Sequence, residues 1–196
     1  FRTYGVLGVI QLIIFKVRTK LMFSNARIIR FPISIRGRKH INLGSRLTTG
    51  VGCRLEAYSD FNNGKTLIFG NNIQINDYVH ITAMRKVTIG NNVLMASKIY
   101  ISDCTHGYYD GGDNDSSPAE SPINRKYKIS EVLIEDNVWL GESVAVLPGV
   151  KIGKGSIIGA NSVVTKNIPK NSIAVGSPAK VIKKYDEIKK KWMKVD

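Results

Sequence analysis

The sequence predicts an all-β solenoid, a parallel β-helix built from six-residue units. An aliphatic residue recurs every six positions through residues 134–168, and a second series follows each of them by four positions. The first series is Ile134, Leu140, Val146, Ile152, Ile158 and Val164, and the second is Val138, Val144, Val150, Ser156, Ser162 and Ile168. Residues two apart point to the same face of a strand, so each unit is a short strand with one buried face, followed by a corner. Repeats of this length are typical of a parallel β-helix.

Three units would close one triangular coil, so that residues eighteen positions apart stack. Ile134, Leu140 and Val146 are therefore expected to lie under the residues eighteen positions later. Neighbouring coils would be roughly 4.8 Å apart. The 196 residues favour one such domain with appendages.

Residues 1–27 predict an apolar and basic N-terminal helix. Residues 4–15 carry no charge, and Lys16, Arg18 and Lys20 follow them. This uncharged run is too short to span a bilayer. Two interpretations stay open: the helix lies in the interface of an anionic membrane with its cations toward the headgroups, or it docks on the prism and caps its open end.

Residues 28–177 form the predicted β-helix domain, whose first coils are irregular. The ladder becomes regular from residue 69, slips by two positions within residues 82–88 and resumes at Ile89. The slip predicts an eight-residue unit that bulges at one corner. Just before it, Asn76, Asp77 and His80 are candidates for binding an acceptor. The alternative is a purely structural role, because Asn and Asp are common at corners for backbone reasons.

Residues 102–133 interrupt the ladder and predict an extruded functional loop. The first part of the loop is rich in Gly, Asp, Ser and Pro, and long excursions of this kind are usually functional. His106 stands where the chain leaves the coil, with Tyr108 shortly after it. A histidine at the root of a loop can titrate near neutral pH and act as a general base. Cys104 and His106 could instead form a nucleophile pair, or Cys104 could be a small buried filler.

Charge and composition narrow the function classes. Of the net charge of +14, residues 1–55 contribute eleven basic groups and no acid, and residues 180–196 contribute seven lysines and three acids. The ladder itself is nearly neutral, and no basic run alternates with aromatic residues, which argues against nucleic-acid binding. Two cysteines without a Cys-x-x-Cys pattern fit a reducing cytosol. The three histidines are not eighteen residues apart, so no zinc site is expected.

Residues 178–196 predict a C-terminal helix that packs back on the prism. Ser177 followed by Pro178 is a typical helix start. The apolar residues after it share one helical face opposite the lysines: Val181, Ile182, Tyr185, Ile188 and Trp192.

Three features together resemble a known family. They are the hexapeptide ladder, the histidine-bearing loop SDCTHGYYDG, and a C-terminal part that contains NVW-x-G and ends in G-x-PAK. Over about residues 69–185 the chain resembles the left-handed β-helix acyltransferases, and it is similar to their galactoside, maltose and polysaccharide O-acetyltransferases. The resemblance implies a left-handed coil, a homotrimer with active sites between neighbouring prisms, acetyl-CoA as co-substrate and no metal.

The resemblance also implies roles for individual residues. His106 matches the catalytic base, and Trp139 matches a residue near the acetyl and pantetheine end. Positions for the pantetheine arm, the nucleotide and the adenine are implied at Ser143, Gly159, Ala160, Thr165, Lys166, Pro178, Lys180 and Lys183. Asn76, Asp77, His80 and Tyr108 are the acceptor-side candidates.

The expected function is O-acetylation of a sugar hydroxyl in a lipopolysaccharide, capsular or exopolysaccharide unit. The basic front segment favours an enzyme in the cytoplasm, at the inner face of the cytoplasmic membrane. Two alternatives stay open: acetyl transfer to a small sugar or to an amino sugar, and a non-catalytic β-helix scaffold.

Overall fold

The computed structural model of the chain describes residues 3–58 and 64–195. The first two residues of the predicted N-terminal segment and the last residue of the predicted C-terminal helix lie outside the described residues. One α-helix, α1 (Gly5–Met22), precedes the strands. The strands are β1 (Ile33–Arg36), β2 (Ile41–Asn42), β3 (Thr48–Thr49), β4 (Cys53–Ala57), β5 (Leu67–Phe69), β6 (Gln74–Ile75), β7 (His80–Ala83), β8 (Val87–Ile89), β9 (Leu94–Met95), β10 (Tyr100–Ser102), β11 (Cys104–His106), β12 (Tyr127–Ile129), β13 (Val132–Ile134), β14 (Trp139–Leu140), β15 (Ala145–Val146), β16 (Lys151–Ile152), β17 (Ile157–Ile158), β18 (Val163–Val164), β19 (Ser172–Gly176), β20 (Ala179–Asp186) and β21 (Lys191–Lys194).

Three parallel sheets form the faces of a triangular prism. Face A contains β3, β6, β9, β14, β17 and β19; face B contains β1, β4, β7, β10, β15 and β18; face C contains β2, β5, β8, β13 and β16. Each coil visits the faces in this order, and the corner stacks between them are called the A–B, B–C and C–A edges below. The predicted stacking is confirmed by the pairs Ile134↔Ile152, Leu140↔Ile158 and Val146↔Val164.

The core is a narrow column of aliphatic side chains along the prism axis. Ile81, Ile101 and Val146 stack on face B, and each is fully buried. The predicted slip is also confirmed, because buried Ile81 of β7 and buried Ile89 of β8 are eight positions apart instead of six, with Met84, Arg85 and Lys86 in the corner between them on the B–C edge. The ladder therefore fixes which residues point outward on each face.

Helix α1 docks on the side of the prism. Phe15 and Thr19 are buried, and the Thr19 hydroxyl donates to the Phe15 carbonyl at 2.7 Å and accepts from the Ile29 N–H at 2.8 Å. The helix lines one pocket with A–B edge residues such as Gly50. The buried side chains of Phe23 and Ile29, which follow α1 in the chain, join the core. No helix within the described residues has the length and apolar character needed to cross a bilayer.

The predicted C-terminal helix is wrong, because β19, β20 and β21 form an antiparallel meander on face A. The chain reverses direction after Gly176, which has φ 103°. In β20, Ala179, Val181 and Tyr185 are partly buried at positions of equal parity, which is strand periodicity. Ile188, assigned to the helical face, is 93% exposed. The apolar spacing in a stretch this short fits both the helical and the strand period. The unpaired edge of face A favours strand pairing here.

Candidate active site

The interruption between faces B and C is an ordered hairpin at its base. Strand β11 leaves the prism directly after β10 and pairs antiparallel with β12, with His106 opposite Tyr127. A 3₁₀ turn at Pro122–Asn124 follows the outer part of the loop. His106 is therefore held on a paired strand at the B–C edge.

The His106 ring has a defined tautomer. Its Nδ1 lies 3.2 Å from the Pro122 carbonyl oxygen, and its ring centroid lies 4.6 Å from that of Tyr127. A carbonyl oxygen can only accept a hydrogen bond, so Nδ1 carries the proton in the neutral ring. The exposed imidazole then presents Nε2 as an unprotonated acceptor, which is the state that a general base requires.

His106 opens into a cleft on the outer side of face B. The cleft has a volume of about 480 Å³ and is lined by Glu56, Tyr58, Thr82, Met84, Tyr100, Ser102, Cys104, Thr105, His106 and Tyr127. Three tyrosines in one open cleft suit a sugar, because an aromatic ring can cover an apolar sugar face while its hydroxyl stays wet. Tyr108, predicted on the acceptor side, instead lines a separate pocket within the loop.

Cys104 lies in the same cleft but is a protonated thiol. Burial raises the pKa of Cys104, and its sulfur lies 3.4 Å from the Ser102 hydroxyl. Since the thiolate is the nucleophilic form, a raised pKa disfavours covalent catalysis at neutral pH. The geometry favours His106 acting directly on a bound hydroxyl over the Cys104/His106 pair.

Asp103 fixes the root of the loop. Its fully buried carboxylate accepts from the backbone N–H groups of Met84, Arg85 and Lys86 at 2.8, 2.8 and 2.7 Å. The Asp103 carbonyl also accepts from the N–H of Ser130, which directly follows β12, at 2.8 Å. The Asp103 side chain thus connects the corner between β7 and β8 to the start of β11, the strand that carries His106.

The acceptor-side candidates lie in different places. His80 is beside the cleft, where its Nε2 lies 3.1 Å from the Glu56 carboxylate and its ring packs on Tyr100. Asn76 and Asp77 lie at the A–B edge, in the pocket shared with α1. The Asp77 carboxylate accepts from the Val51 N–H at 2.8 Å, so it has a structural role at this corner.

The coenzyme-side candidates lie on other parts of the prism. Trp139 is on the outside of face A and is 48% exposed, while Ser143, Gly159 and Ala160 follow one another along the A–B edge. The remaining candidates lie in the last coil or in the meander after it: Thr165, Lys166, Pro178, Lys180 and Lys183. Lys183 is partly buried and the others are exposed. Within one chain these residues do not share a pocket with His106.

Sequence reasoning missed three residues of the cleft region: Glu56, Asp103 and Tyr127. Glu56 had a usable signal, since it is the first acidic residue of the chain and follows eleven basic residues. Asp103 and Tyr127 had none, because their roles depend on the bulged corner and on the pairing of β11 with β12.

Comparison with known proteins adds a family match. The family model described as bacterial transferase hexapeptide (six repeats) matches residues 131–166. WbbJ of Escherichia coli (strain K12), provisionally named as a lipopolysaccharide biosynthesis O-acetyl transferase, is 47% identical over 193 residues, which cover 98% of this chain and 96% of WbbJ.

Two solved structures share the architecture. AntD, an N-acyltransferase from Bacillus cereus in complex with dTDP and 3-hydroxybutyryl-CoA, superposes with a TM-score of 0.66 at 21% identity, over 81% of this chain and 79% of AntD. A hexapeptide-repeat acetyltransferase from Vibrio cholerae O1 biovar eltor, complexed with acetyl coenzyme A, has a TM-score of 0.55 at 25% identity, over 72% of each chain. At 21% identity, the similarity to AntD shows a shared fold alone.

Proposed function

Because this chain belongs to the hexapeptide-repeat, left-handed β-helix acyltransferases, we propose that it transfers acetyl from acetyl-CoA to a sugar hydroxyl of a surface polysaccharide unit. The observation that carries the proposal is the His106 imidazole, whose Nδ1 is engaged by the Pro122 carbonyl and which lines a cleft with three tyrosines. The name of WbbJ supports lipopolysaccharide as the acceptor class.

The proposed mechanism is direct transfer. His106 Nε2 removes the proton from the sugar hydroxyl, and the hydroxyl oxygen forms a bond to the thioester carbonyl carbon of acetyl-CoA. Backbone N–H groups at the cleft stabilise the developing oxyanion. When the C–S bond breaks, His106 returns the proton to the leaving sulfur. The Pro122 carbonyl accepts from Nδ1 in both the neutral and the protonated ring, so it keeps the ring in one orientation throughout.

The separation of the candidate residues supports a homotrimer as the active form. His106 lies on the B–C edge, whereas Trp139 lies on face A and Ser143 on the A–B edge. A second copy that places its face A against the first chain's hairpin would bring these groups together. The outer side of face A supports this contact, since Leu94 and Trp139 are neighbours there and are 39% and 48% exposed.

The residues of the A–B edge fit an extended coenzyme arm. Small residues follow one another at this edge, and a Cβ on Gly159 would lie 2.7 Å from Val175 Cγ1, so the corner cannot carry a larger residue without rearrangement. Lys166, just after β18, and Lys180, in β20, are both exposed, and their ammonium groups suit the phosphates of the coenzyme. Acetyl-CoA, when bound, supplies the activated acetyl group.

An acceptor panel tests the proposed function. Purified protein with acetyl-CoA is incubated with neutral sugars, amino sugars, nucleotide sugars and lipid-linked glycans, and free thiol release is measured. We expect sugar-dependent thiol release and an alkali-labile acetyl ester in the product. An alkali-stable acetamide would make the enzyme an N-acetyltransferase. Absence of acetyl-CoA binding would favour the scaffold.

We also propose that α1 holds the enzyme at an anionic membrane surface, on the cytoplasmic side. The helix face away from the prism carries apolar residues at alternating spacings of three and four, all about half exposed or more: Leu7, Ile10, Ile14, Val17 and Leu21. Exposed Lys16 and Lys20 flank this stripe. An apolar face with flanking cations is typical of interfacial helices.

Substitution within the stripe tests the membrane contact. The double variant Ile10→Ser/Ile14→Ser is expected to weaken binding to phosphatidylglycerol-containing vesicles at least about tenfold, since two apolar side chains no longer insert. The matched control is Ile123→Ser/Ile188→Ser, which removes two residues that are 82% and 93% exposed elsewhere. Co-sedimentation measures binding, and equal binding of both variants would refute the contact. Deleting residues 1–23 is a poorer test, because it also removes buried Phe15, Thr19 and Phe23.

A further inference from the structure

Glu56 is the centre of a charged cluster on the outside of face B. Its side chain is only 3% exposed, although it stands on the outer side of the strand. One carboxylate oxygen accepts a hydrogen bond from Arg54 at 2.8 Å and forms an ion pair with Arg36 at 2.9 Å. The other lies 3.1 Å from His80 Nε2 and 3.3 Å from the Thr82 hydroxyl. The carboxylate is thus covered by its own partners.

The cluster carries a surplus of positive charge. Burial alone would raise the pKa of Glu56, but hydrogen bonds from Arg54 and His80 and the two arginine charges hold this pKa below its ordinary value. Glu56 is therefore ionised, and it neutralises one of the two guanidinium groups. Two guanidinium groups against one carboxylate leave the cluster with at least one net positive charge.

Both guanidinium groups have donors to spare. The Arg36 and Arg54 side chains are 60% and 44% exposed, and each uses one terminal nitrogen for Glu56. Within the described residues their other N–H groups have no recorded protein partner. Glu56 holds the planar forks in place, which lowers the entropy cost of binding a further oxyanion.

The cluster is aligned with His106. Arg36, Glu56, Thr82 and Ser102 stack in register on the outer side of face B. Glu56, Thr82 and Ser102 also line the cleft into which His106 projects. Two strand spacings separate Glu56 from Ser102, which is about 10 Å along the prism. Arg36 and Arg54 do not themselves line the cleft, but both contact Glu56 at its margin, so a ligand at His106 that extends past Glu56 would reach the arginines.

We propose that Arg36 and Arg54, positioned by Glu56, form an anion subsite for the acceptor, which binds a carboxylate or phosphate carried beside the sugar that is acetylated. The assignment rests on the proposed function, since it places the reacting hydroxyl at His106. The anion has two sources, a uronic acid carboxylate or a sugar phosphate. Two fixed guanidinium groups suit either anion, because a carboxylate and a phosphate each present paired oxygens to a fork of N–H donors.

Direct binding tests the subsite without requiring turnover. The protein saturated with coenzyme A is titrated calorimetrically with three probes: methyl galactoside, methyl galacturonide and galactose 1-phosphate. We expect at least one anionic probe to bind about tenfold or more tightly than the neutral probe. The anionic probe that binds more tightly identifies the source of the charge.

Arginine variants complete the test. Arg54→Gln and, separately, Arg36→Gln are expected to weaken the anionic probe about tenfold or more and to leave the neutral probe unchanged. Arg46→Gln is the matched control, because Arg46 is exposed on the C–A edge, between β2 and β3, and not on face B. Thermal melting checks folding, and Arg54→Lys, which keeps the charge beside Glu56, is expected to retain the anion preference in part.

The two proposals fail differently. No preference for either anionic probe, including no measurable binding, would overturn the subsite, as would equal weakening of neutral and anionic probes by Arg54→Gln. If the anion preference depends on Arg36 and Arg54 but no sugar is acetylated, the subsite stands and the proposed function falls. If sugars are acetylated but the Arg36 and Arg54 variants bind the anionic probes as tightly as the unchanged protein, the proposed function stands and the subsite falls.

Discussion

Replacing His106 with alanine is expected to lower kcat by about 10²–10⁴-fold, because the variant lacks the general base that removes the hydroxyl proton. The ring is fixed by the Pro122 carbonyl at 3.2 Å and by Tyr127, and His106 supplies the one imidazole among the described residues that line the cleft. Steady-state kinetics with a saturating acceptor measures the loss.

Coenzyme binding separates catalysis from folding in this variant. The dissociation constant for coenzyme A is expected to change by no more than about twofold, since His106 contributes to the transition state and not to coenzyme affinity. Full turnover in His106→Ala would contradict the assignment. A parallel loss of coenzyme binding would indicate that the hairpin itself had been disturbed.

Asp103→Asn is expected to lower the free energy of unfolding by about 3 kcal/mol or more, because an NH₂ group then faces backbone donors that need an acceptor. The carboxylate is fully buried and receives three N–H groups, so no water can replace it. Urea unfolding followed by circular dichroism measures the change.

Asp113→Asn is the matched control for Asp103. Asp113 is exposed in the loop, so the same chemical change is expected to cost little there. If Asp103→Asn is as stable as this control, the carboxylate does not hold the extended corner. Because Asp103 precedes the strand that carries His106, turnover is expected to fall together with stability.

The ladder could be predicted from the sequence because each coil depends on local spacing alone. The six-residue period determined the register of Ile134, Leu140 and Val146 with the next coil, and the slip after Ile81 located the long corner. In a solenoid each unit contacts mainly its neighbours, so a correct period gives a correct core. The position of His106 at the root of the interruption followed from the same reasoning.

The parts that could not be predicted depend on pairing between distant segments. Val181 and Tyr185 fit a helix or a strand equally well, and the open edge of face A decided for the strand. Glu56 meets His80 and Thr82 only because β4 and β7 are in register. The charged cluster is thus a property of the stack, and no single motif in the sequence contains it.

The antiparallel meander at the end of face A has a consequence for self-assembly. A parallel coil offers its last strand as a template on which another prism could continue, which is the route to fibres. Here β20 reverses the strand direction, β21 restores it as the outermost strand, and β21 begins and ends with Lys191 and Lys194. An incoming strand would meet an exposed edge strand that carries two ammonium groups, and lysines on an edge disfavour further pairing. The meander thus disfavours end-to-end polymerisation on face A and leaves side-by-side contacts as the route to assembly.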